Sequence, residues 1–275
     1  MSFILLGLIQ GLTEFFPVSS SGHLVIAKYF LKLYLPGAAF EAFVHFGTVL
    51  AVVTLFRKEI KELVFSFINS IYKLFQGENL SSILRNNSFS KFSWYLIISS
   101  IPAAIIGYTF SYYFEILFNQ TIITSLMLFI TGTILWFGNK KYTSGNKNIS
   151  EMNFKDAINI GIAQAIAIIP GISRSGLTVF AGLLRNLDRE FAAKYSFILS
   201  IPLILGAITF KIKDLSSLNL SLNNLILAGT VAFISSYGAM KIFIGLLKSR
   251  KIYFFSYYLW ILSTLTIGII LLRGY

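Results

Sequence analysis

The sequence contains no cysteine and few charged residues. Without cysteine, the chain has no disulfide framework, no thiolate nucleophile and no cysteine-ligated zinc. Charged residues make up 12% of the 275 residues, whereas a typical soluble domain carries about 25%. Hydrophobic residues make up 56%. Because so little polar surface is available, the composition predicts an integral membrane protein.

Acidic residues are scarcer than basic ones, with 11 Asp and Glu against 23 Lys and Arg. A basic balance can indicate nucleic-acid binding. Here the bases lie between apolar runs, which favours cytoplasmic loops and anionic lipid headgroups, and we expect no nucleic-acid partner. The N-terminal segment lacks the basic region of a cleavable signal peptide. The sequence contains no glycine-rich phosphate loop and no His/Glu zinc motif.

Six apolar stretches are long enough to span a bilayer, which needs roughly 20 residues. Two further stretches, 1–30 and 157–186, are each interrupted by a motif rich in Pro, Ser and Gly. Non-helical backbone at membrane depth must be covered by protein or water, so we predict two re-entrant helix-loop-helix hairpins. The alternative is a full span with a kink. The predicted spans are 38–56, 92–113, 119–138, 191–211, 224–247 and 252–272.

The two interrupted stretches are copies of each other, offset by 154 residues. A polar linker, 139–155, joins the halves 1–138 and 156–275, and each half contains one hairpin and three spans. Because three is odd, the halves must insert with opposite orientations. We therefore predict a single all-α polytopic membrane domain, 1–275, built as an inverted-topology repeat. The matching pairs include Gln10 and Gln164, Ser19 and Ser173, Ser21 and Ser175, and Gly22 and Gly176.

Loop charge predicts the orientation of the chain. If residues 57–91 form a cytoplasmic loop, sixteen Lys and Arg lie inside and five lie outside, with two more inside apolar segments. Such a bias is the positive-inside pattern. The first hairpin then enters the cell membrane from outside, and the second enters from the cytoplasm. In an inverted repeat the polar site lies where the broken segments meet, so we expect it to open outward.

The first interrupted stretch carries acid, hydroxyl and imidazole groups. Gln10 and Glu14 are four residues apart, on one helical face. The serines Ser19 to Ser21 follow a proline and can form an anion cradle with free backbone N–H groups. His23 can exchange a proton near neutral pH. Glu14 can hold a divalent cation or act as a base, or it can simply be neutralised by an arginine. For His23, the alternative is a hydrogen-bonded packing residue.

The second interrupted stretch contains Arg174, the one Lys or Arg in either motif. Arginine binds phosphate bidentately and stays charged. A buried arginine needs an anion, and the candidates are Glu14 and a substrate phosphate. Because both hairpin tips reach the midplane in an inverted repeat, we expect Ser20 and Arg174 to bind the same anion. Thr178, four residues on, can add a hydroxyl on the same face. Glu41 and His45 lie on the first span, where interhelical hydrogen bonds explain them better than catalysis does.

These motifs resemble those of the undecaprenyl-pyrophosphate phosphatases of the bacitracin-resistance type. That family has an E/Q-x-x-x-E motif, then P-V-S-S-S/T-G-H, and later P-G-x-S-R-S-G-x-T. Here they read Gln10 to Glu14, Pro17 to His23 and Pro170 to Thr178, in the same order and spacing. The resemblance covers essentially the whole chain. The first position of the first motif is Gln10, the uncharged option, which leaves more of any metal-ligand or base role to Glu14.

The resemblance implies hydrolysis of a polyprenyl diphosphate to its monophosphate and phosphate at the outer face of the membrane. The lipid carrier is thereby recycled for envelope glycan synthesis, which gives bacitracin resistance. It also implies a divalent cation, Mg²⁺ or Ca²⁺, with Glu14 and Gln10 as candidate ligands. The implied catalytic residues are Glu14, Ser20, His23 and Arg174. The candidate substrate-binding residues are Gln10, Ser19, Ser21, Ser173, Ser175 and Thr178.

Several alternatives stay open at this point. Ser20 can be the nucleophile, or it can bind phosphate while water attacks. Phosphatases of the type-2 phosphatidic acid phosphatase superfamily need two catalytic histidines, and His45 lacks the context of the second. A polyprenyl-phosphate flippase also fits an inverted repeat. Release of phosphate by the purified protein separates the enzyme from the flippase. The sequence leaves open a homodimer and the choice between a bacterial undecaprenyl and an archaeal dolichyl-type lipid.

Overall fold

The computed structural model describes residues 2–32, 37–141, 145–211, 221–249 and 251–273. Within these ranges the ordered elements are α-helices, and no strand longer than an isolated bridge is found. The side chain of Glu41, considered above, lies outside the described residues. The helices are α1 (Ser2–Phe15), α2 (Ser20–Leu31), α3 (Gly37–Leu55), α4 (Arg57–Phe75), α5 (Leu80–Asn86), α6 (Ser88–Thr109), α7 (Ser111–Phe118), α8 (Thr121–Lys141), α9 (Phe154–Ile166), α10 (Arg174–Leu184), α11 (Arg189–Lys211), α12 (Leu222–Lys248) and α13 (Tyr253–Leu272).

Five helices are long and apolar enough to cross a membrane, counted over the described ranges. These helices are α6, α8, α11, α12 and α13, and each coincides with a span predicted from the sequence. The sixth predicted span, 38–56, coincides with α3, in which the described apolar run covers Ala42–Leu55. The protein is therefore an all-helical polytopic membrane protein.

Both interrupted stretches are helix-loop-helix hairpins. The first consists of α1 and α2, and the second consists of α9 and α10. Their arms contain between 11 and 14 residues. An α-helix rises about 1.5 Å per residue, so each arm is shorter than the roughly 30 Å hydrocarbon core. The predicted break in each stretch is confirmed, and neither stretch is a continuous kinked helix.

The predicted loop 57–91 is largely helical. It contains α4, α5 and the first residues of α6. The charged residues of α4 obscured this in the sequence, because the stretch is too polar to be a span. Its apolar residues nevertheless recur at helical spacing, and Leu63, Ser66 and Ser70 are buried. This region is therefore a structured part of the molecule.

Each hairpin packs its first arm against a long helix from the other half of the sequence. Helix α1 packs along α12, and α9 packs along α6. A Cβ atom at Gly7 would lie 2.4 Å from the Ala228 carbonyl oxygen, and one at Gly161 would lie 2.7 Å from that of Ser99. These two glycines correspond through the 154-residue offset. Backbone contact this close is possible only without a side chain, so the glycines allow the helices to meet.

Candidate functional site

The tips of the two hairpins share the same capping hydrogen bond. Helix α2 begins at Ser20 and α10 begins at Arg174, which are equivalent positions in the repeat. The preceding serine is the N-cap in both. The Ser19 hydroxyl accepts a hydrogen bond from the Gly22 N–H, and the Ser173 hydroxyl accepts one from the Gly176 N–H. Serine is a favoured N-cap, so the motif itself starts each second arm.

Ser21 and Ser175, each two residues after the N-cap serine, also occupy equivalent positions. The Ser19 and Ser21 hydroxyls are 3.2 Å apart, and those of Ser173 and Ser175 are 3.3 Å apart. The Ser175 hydroxyl also donates to the Phe16 carbonyl, 2.9 Å away, and so links the second tip to the first. These four predicted substrate-binding serines therefore cap and connect the tips in this structure.

The two tips touch each other through corresponding atoms. A Cβ atom at Gly22 would lie 3.2 Å from the Gly171 Cα, and one at Gly176 would lie 3.2 Å from the Pro17 Cβ. Pro17 corresponds to Gly171, and Gly22 corresponds to Gly176, through the same offset. The contact is therefore reciprocal, because each glycine approaches the residue equivalent to its partner's neighbour in the other tip. It brings the first residues of α2 and α10 to one place.

Glu14 lies at that place, buried at 6% exposure, and binds side chains from both hairpins. The Ser20 hydroxyl donates to Oε2 at 2.5 Å, and the Gln10 amide donates to the same oxygen at 2.8 Å. The Arg174 guanidinium donates to Oε1 at 2.7 Å. The His45 Nε2 lies 3.6 Å from Oε2. Ser20 and Arg174 thus bind one anion, as the sequence predicted, and in this structure that anion is Glu14.

Arg174 is held from its other side by α11. Its Nη1 donates to the Ser196 carbonyl at 3.4 Å. The Thr178 hydroxyl donates to the Arg174 carbonyl at 2.8 Å and lies 2.6 Å from the Ser196 hydroxyl. Thr178 therefore bonds to the residues around Arg174 and not to the Glu14 carboxylate. Ser196 was not anticipated from the sequence, because nothing in its neighbourhood forms a motif.

His23 has its own pair of partners, and neither belongs to the Glu14 cluster. Its Nδ1 is 2.8 Å from the Ser19 carbonyl, and its Nε2 is 2.7 Å from the Tyr258 hydroxyl. A carbonyl only accepts, so Nδ1 carries a proton. In the neutral ring, Nε2 then accepts a hydrogen bond from Tyr258. The imidazole and phenol rings also stack, 13° from parallel.

Besides Ser196, sequence reasoning missed the role of Tyr258 and the proximity of His45 to Glu14. Tyr258 comes from α13, 235 residues after His23, and has no motif around it. His45 was interpreted as an interhelical hydrogen-bonding residue on the first span. Its distance to Glu14 depends on the packing of α3 against α1. Neither the Tyr258–His23 contact nor the short distance from His45 to Glu14 can be predicted from local residue spacing.

A cation could share this cluster with a phosphate ligand. No group of three or more His, Cys, Asp or Glu side chains with metal-binding geometry occurs in the part of the chain that the structure describes. The Gln10 Oε1 is buried and accepts no hydrogen bond from any described group. Mg²⁺ is commonly held by one or two carboxylates together with substrate phosphates. Glu14 and the free Gln10 oxygen fit that ligand set.

The polar site lies between broken helices in an apolar helical protein, as in membrane proteins that bind anionic lipids or solutes. The sequence matches the family model of the bacitracin resistance protein BacA over residues 3–265, and the chain belongs to that family. It is similar to an undecaprenyl-diphosphatase of Methanobrevibacter smithii, with 40% identity over 98% of this chain and 96% of the relative. It is also similar to undecaprenyl-diphosphatases of Alkaliphilus metalliredigens, with 39% identity over 96% of both chains, and of Desulforapulum autotrophicum, with 38% identity over 96% of both.

Proposed function

We propose that this protein hydrolyses undecaprenyl diphosphate to undecaprenyl phosphate and inorganic phosphate. The reaction recycles the lipid carrier of cell-wall synthesis and confers bacitracin resistance. The observation that carries the proposal is the convergence of Ser20 and Arg174 on the Glu14 carboxylate. That convergence joins both motifs of a family whose named relatives are undecaprenyl-diphosphatases.

Arg174 and the two capped helix starts provide the anion clamp. Phosphoryl transfer is catalysed mainly by positioning and charge neutralisation. A guanidinium fits phosphate oxygens, and the start of a helix favours negative charge. Arg174 is 11% exposed and pairs with Glu14 in this structure. We propose that a substrate phosphate takes over part of this pairing, while the lipid tail extends between spans into the bilayer.

Ser20 and Glu14 form the arrangement of a nucleophile and its base. The Ser20 hydroxyl donates its proton directly toward the Glu14 Oε2. In this route Ser20 Oγ attacks the terminal phosphorus and Glu14 takes the proton. The bond to the bridging oxygen breaks, and undecaprenyl phosphate leaves with the electron pair. Water then hydrolyses the phosphoserine. A second route keeps Ser20 as a phosphate ligand while Glu14 activates water, and trapping of a phosphoserine distinguishes the two.

His23 and the cation complete the proposed machinery. The neutral His23 Nε2 presents a lone pair that Tyr258 holds in place, so His23 can move a proton at that nitrogen. We propose that Mg²⁺ or Ca²⁺ is held by Glu14 and Gln10. When bound, such a cation neutralises charge that develops on the phosphate oxygens.

We further propose that the chain is an inverted-topology repeat of six spans and two re-entrant hairpins in the cell membrane. The halves are 1–138, with its hairpin at 1–30, and 156–275, with its hairpin at 157–186. Support comes from the reciprocal contacts of the tips and from the packing of α1 on α12 and of α9 on α6. Loop charge supports a site that opens outward.

Phosphate release by purified protein tests the activity. With undecaprenyl diphosphate and Mg²⁺ in detergent micelles, we expect stoichiometric release of phosphate and the monophosphate. Glu14→Gln should lower turnover by about 100-fold or more, because it removes the base. Gln10→Glu is the matched control and should keep turnover, because the family motif accepts either residue. Lipid translocation in proteoliposomes without phosphate release would favour the flippase instead.

A further inference from the structure

Helix α4, Arg57–Phe75, packs one of its sides on the rest of the protein. Leu63, Ser66 and Ser70 are buried on that side. The Ser93 hydroxyl donates to the Leu63 carbonyl at 2.8 Å, and the Trp94 indole donates to the Ser70 hydroxyl at 2.9 Å. These contacts with the start of α6 fix how α4 is rotated about its own axis.

A second apolar side of α4 faces away from the protein. Phe65, Ile68, Tyr72 and Phe75 are 68%, 61%, 61% and 88% exposed, and Val64 is 54% exposed. Their spacing of three and four residues places them on one side of the helix. That side is nearly opposite Leu63 and Ser70. We call these five residues the outer face of α4.

Polar residues separate the two apolar sides along one edge. Lys58, Glu62, Asn69 and Lys73 recur at helical spacing, between the outer face and the buried side. Helix α4 therefore has three distinct sides: one packs on the protein, one is polar, and one is apolar and exposed. A helix that lies along the membrane surface beside a bundle has the same three neighbours, which are protein, water and lipid.

We propose that α4 lies in the membrane–water interface and inserts its outer face among the lipids of an anionic leaflet. The helix follows α3 after a single non-helical residue, Phe56, so it starts where a span ends. It begins with Arg57, Lys58 and Lys61, and loop charge predicts that it lies on the basic, cytoplasmic side. Basic groups beside an apolar helical face attract anionic headgroups.

The other positions for α4 fit less well. A transmembrane position would bury six charged residues within 19. A position in water would expose a contiguous patch of five large apolar side chains. A symmetric contact with a second copy in which the two helices ran parallel would bring the Lys58 and Lys61 of each copy near those of the other, which repel. The lipid surface satisfies both the apolar residues and the charges.

Spin labelling tests this position, because the cysteine-free chain accepts single cysteines directly. The probes are nitroxides at Ile68→Cys, on the outer face, and Asn69→Cys, on the polar edge. Ile261→Cys, at a position that is 59% exposed on α13, is the lipid-facing reference. The protein is reconstituted in phosphatidylglycerol vesicles. Collisions with oxygen report hydrocarbon, and collisions with a water-soluble nickel chelate report water.

We expect the oxygen-to-nickel collision ratio at position 68 to approach that at 261 and to exceed that at 69 by roughly threefold or more. Nickel collisions at 68 as frequent as at 69 would place the helix in water and overturn the proposal. Shielding of position 68 from both reagents, with dipolar broadening between labels, would show a second copy there and would also overturn it. Replacing phosphatidylglycerol by phosphatidylcholine should lower the ratio at 68, and an unchanged ratio would contradict the anionic preference.

Discussion

The carboxylate of Glu14 receives hydrogen bonds from three side chains, two near it in the sequence and one 160 residues away. Gln10 lies one helical turn before it, Ser20 lies across the tip of the same hairpin, and Arg174 belongs to the other hairpin. A buried carboxylate is stable only when it is paired and hydrogen-bonded. The charge of Glu14 and the charge of Arg174 therefore each stabilise the other.

Arg174→Lys should lower turnover by about 100-fold or more, because Lys keeps the charge but loses the planar fork. Steady-state phosphate release measures this effect, and thermal unfolding in micelles should show that the protein remains folded. Arg185→Lys is the control. Arg185 also pairs with a buried acid, Asp156, but it lies outside the site, so turnover should be kept. Near-full activity of Arg174→Lys would contradict the clamp.

Tyr258→Phe should lower kcat by up to tenfold and leave KM unchanged. The change removes the hydroxyl that binds the His23 Nε2 and keeps the stacked ring. A neutral hydrogen bond contributes about 1 kcal/mol, which corresponds to less than about one power of ten in rate. Tyr257→Phe, which removes the hydroxyl of the neighbouring residue, is the control and should leave both kcat and KM unchanged. If Tyr258→Phe had the same kcat as the Tyr257→Phe control, the Tyr258 hydroxyl would not position His23.

At the scale of the elements, each hairpin begins its second helix with a serine N-cap and contains one tip residue with a positive φ. Ser19 has a φ of 65°, which is unusual for a residue with a side chain, whereas its counterpart Ser173 has a φ of −79°. In the second tip the positive φ falls on Gly171, at 94°. Such conformations persist where the surroundings determine them, commonly at functional sites. The tips are therefore similar but not identical.

Gly171→Ala should destabilise the protein and reduce turnover together. A Cβ atom there would lie 2.2 Å from the Thr124 carbonyl oxygen, on a backbone that disfavours side chains. We expect a loss of about 2–4 kcal/mol from strain and overlap, measured by thermal unfolding. Gly238→Ala in α12 is the control, since nothing lies within 4 Å of the added atom. A stable, fully active Gly171→Ala protein would contradict the close packing of the second tip against α8.

At the scale of the whole molecule, each half packs its hairpin against the other half. Because α1 packs on α12 and α9 packs on α6, neither half completes the site alone. Ion pairs connect residues predicted to be cytoplasmic, such as Lys194 with Glu59 and Lys248 with Glu190. Arg273 lies over Phe30 at the opposite, predicted outer end.

Cysteine labelling of intact cells tests the orientation. Lys32→Cys should react with an impermeant maleimide from outside, and Lys155→Cys should react only after the cells are permeabilised. Both positions are exposed, and the chain has no cysteine of its own, so each label has one target. Labelling of Lys155→Cys alone in intact cells would reverse the orientation and place the site toward the cytoplasm.

Much of this protein can be predicted from its sequence, because apolar length, helix breaks and capping serines act locally. The five long apolar helices and both hairpin breaks follow from such signals. The repeat also indicated that Ser20 and Arg174 would meet. Helix α4 was interpreted as a loop, because a charged helix with two apolar sides resembles neither a span nor a simple amphipathic helix.

Only the tertiary structure decided which side chains complete the site. The approach of His45 to Glu14 depends on how α3 packs on α1, and the bond from Tyr258 to His23 depends on how α13 lies beside the first hairpin. The choice of Glu14 as the partner of Arg174 also required the tips to touch. Contacts between residues more than 30 positions apart arise from packing, which no local pattern encodes. The sequence therefore determined the motifs and their chemistry, and packing determined the distances at which they act.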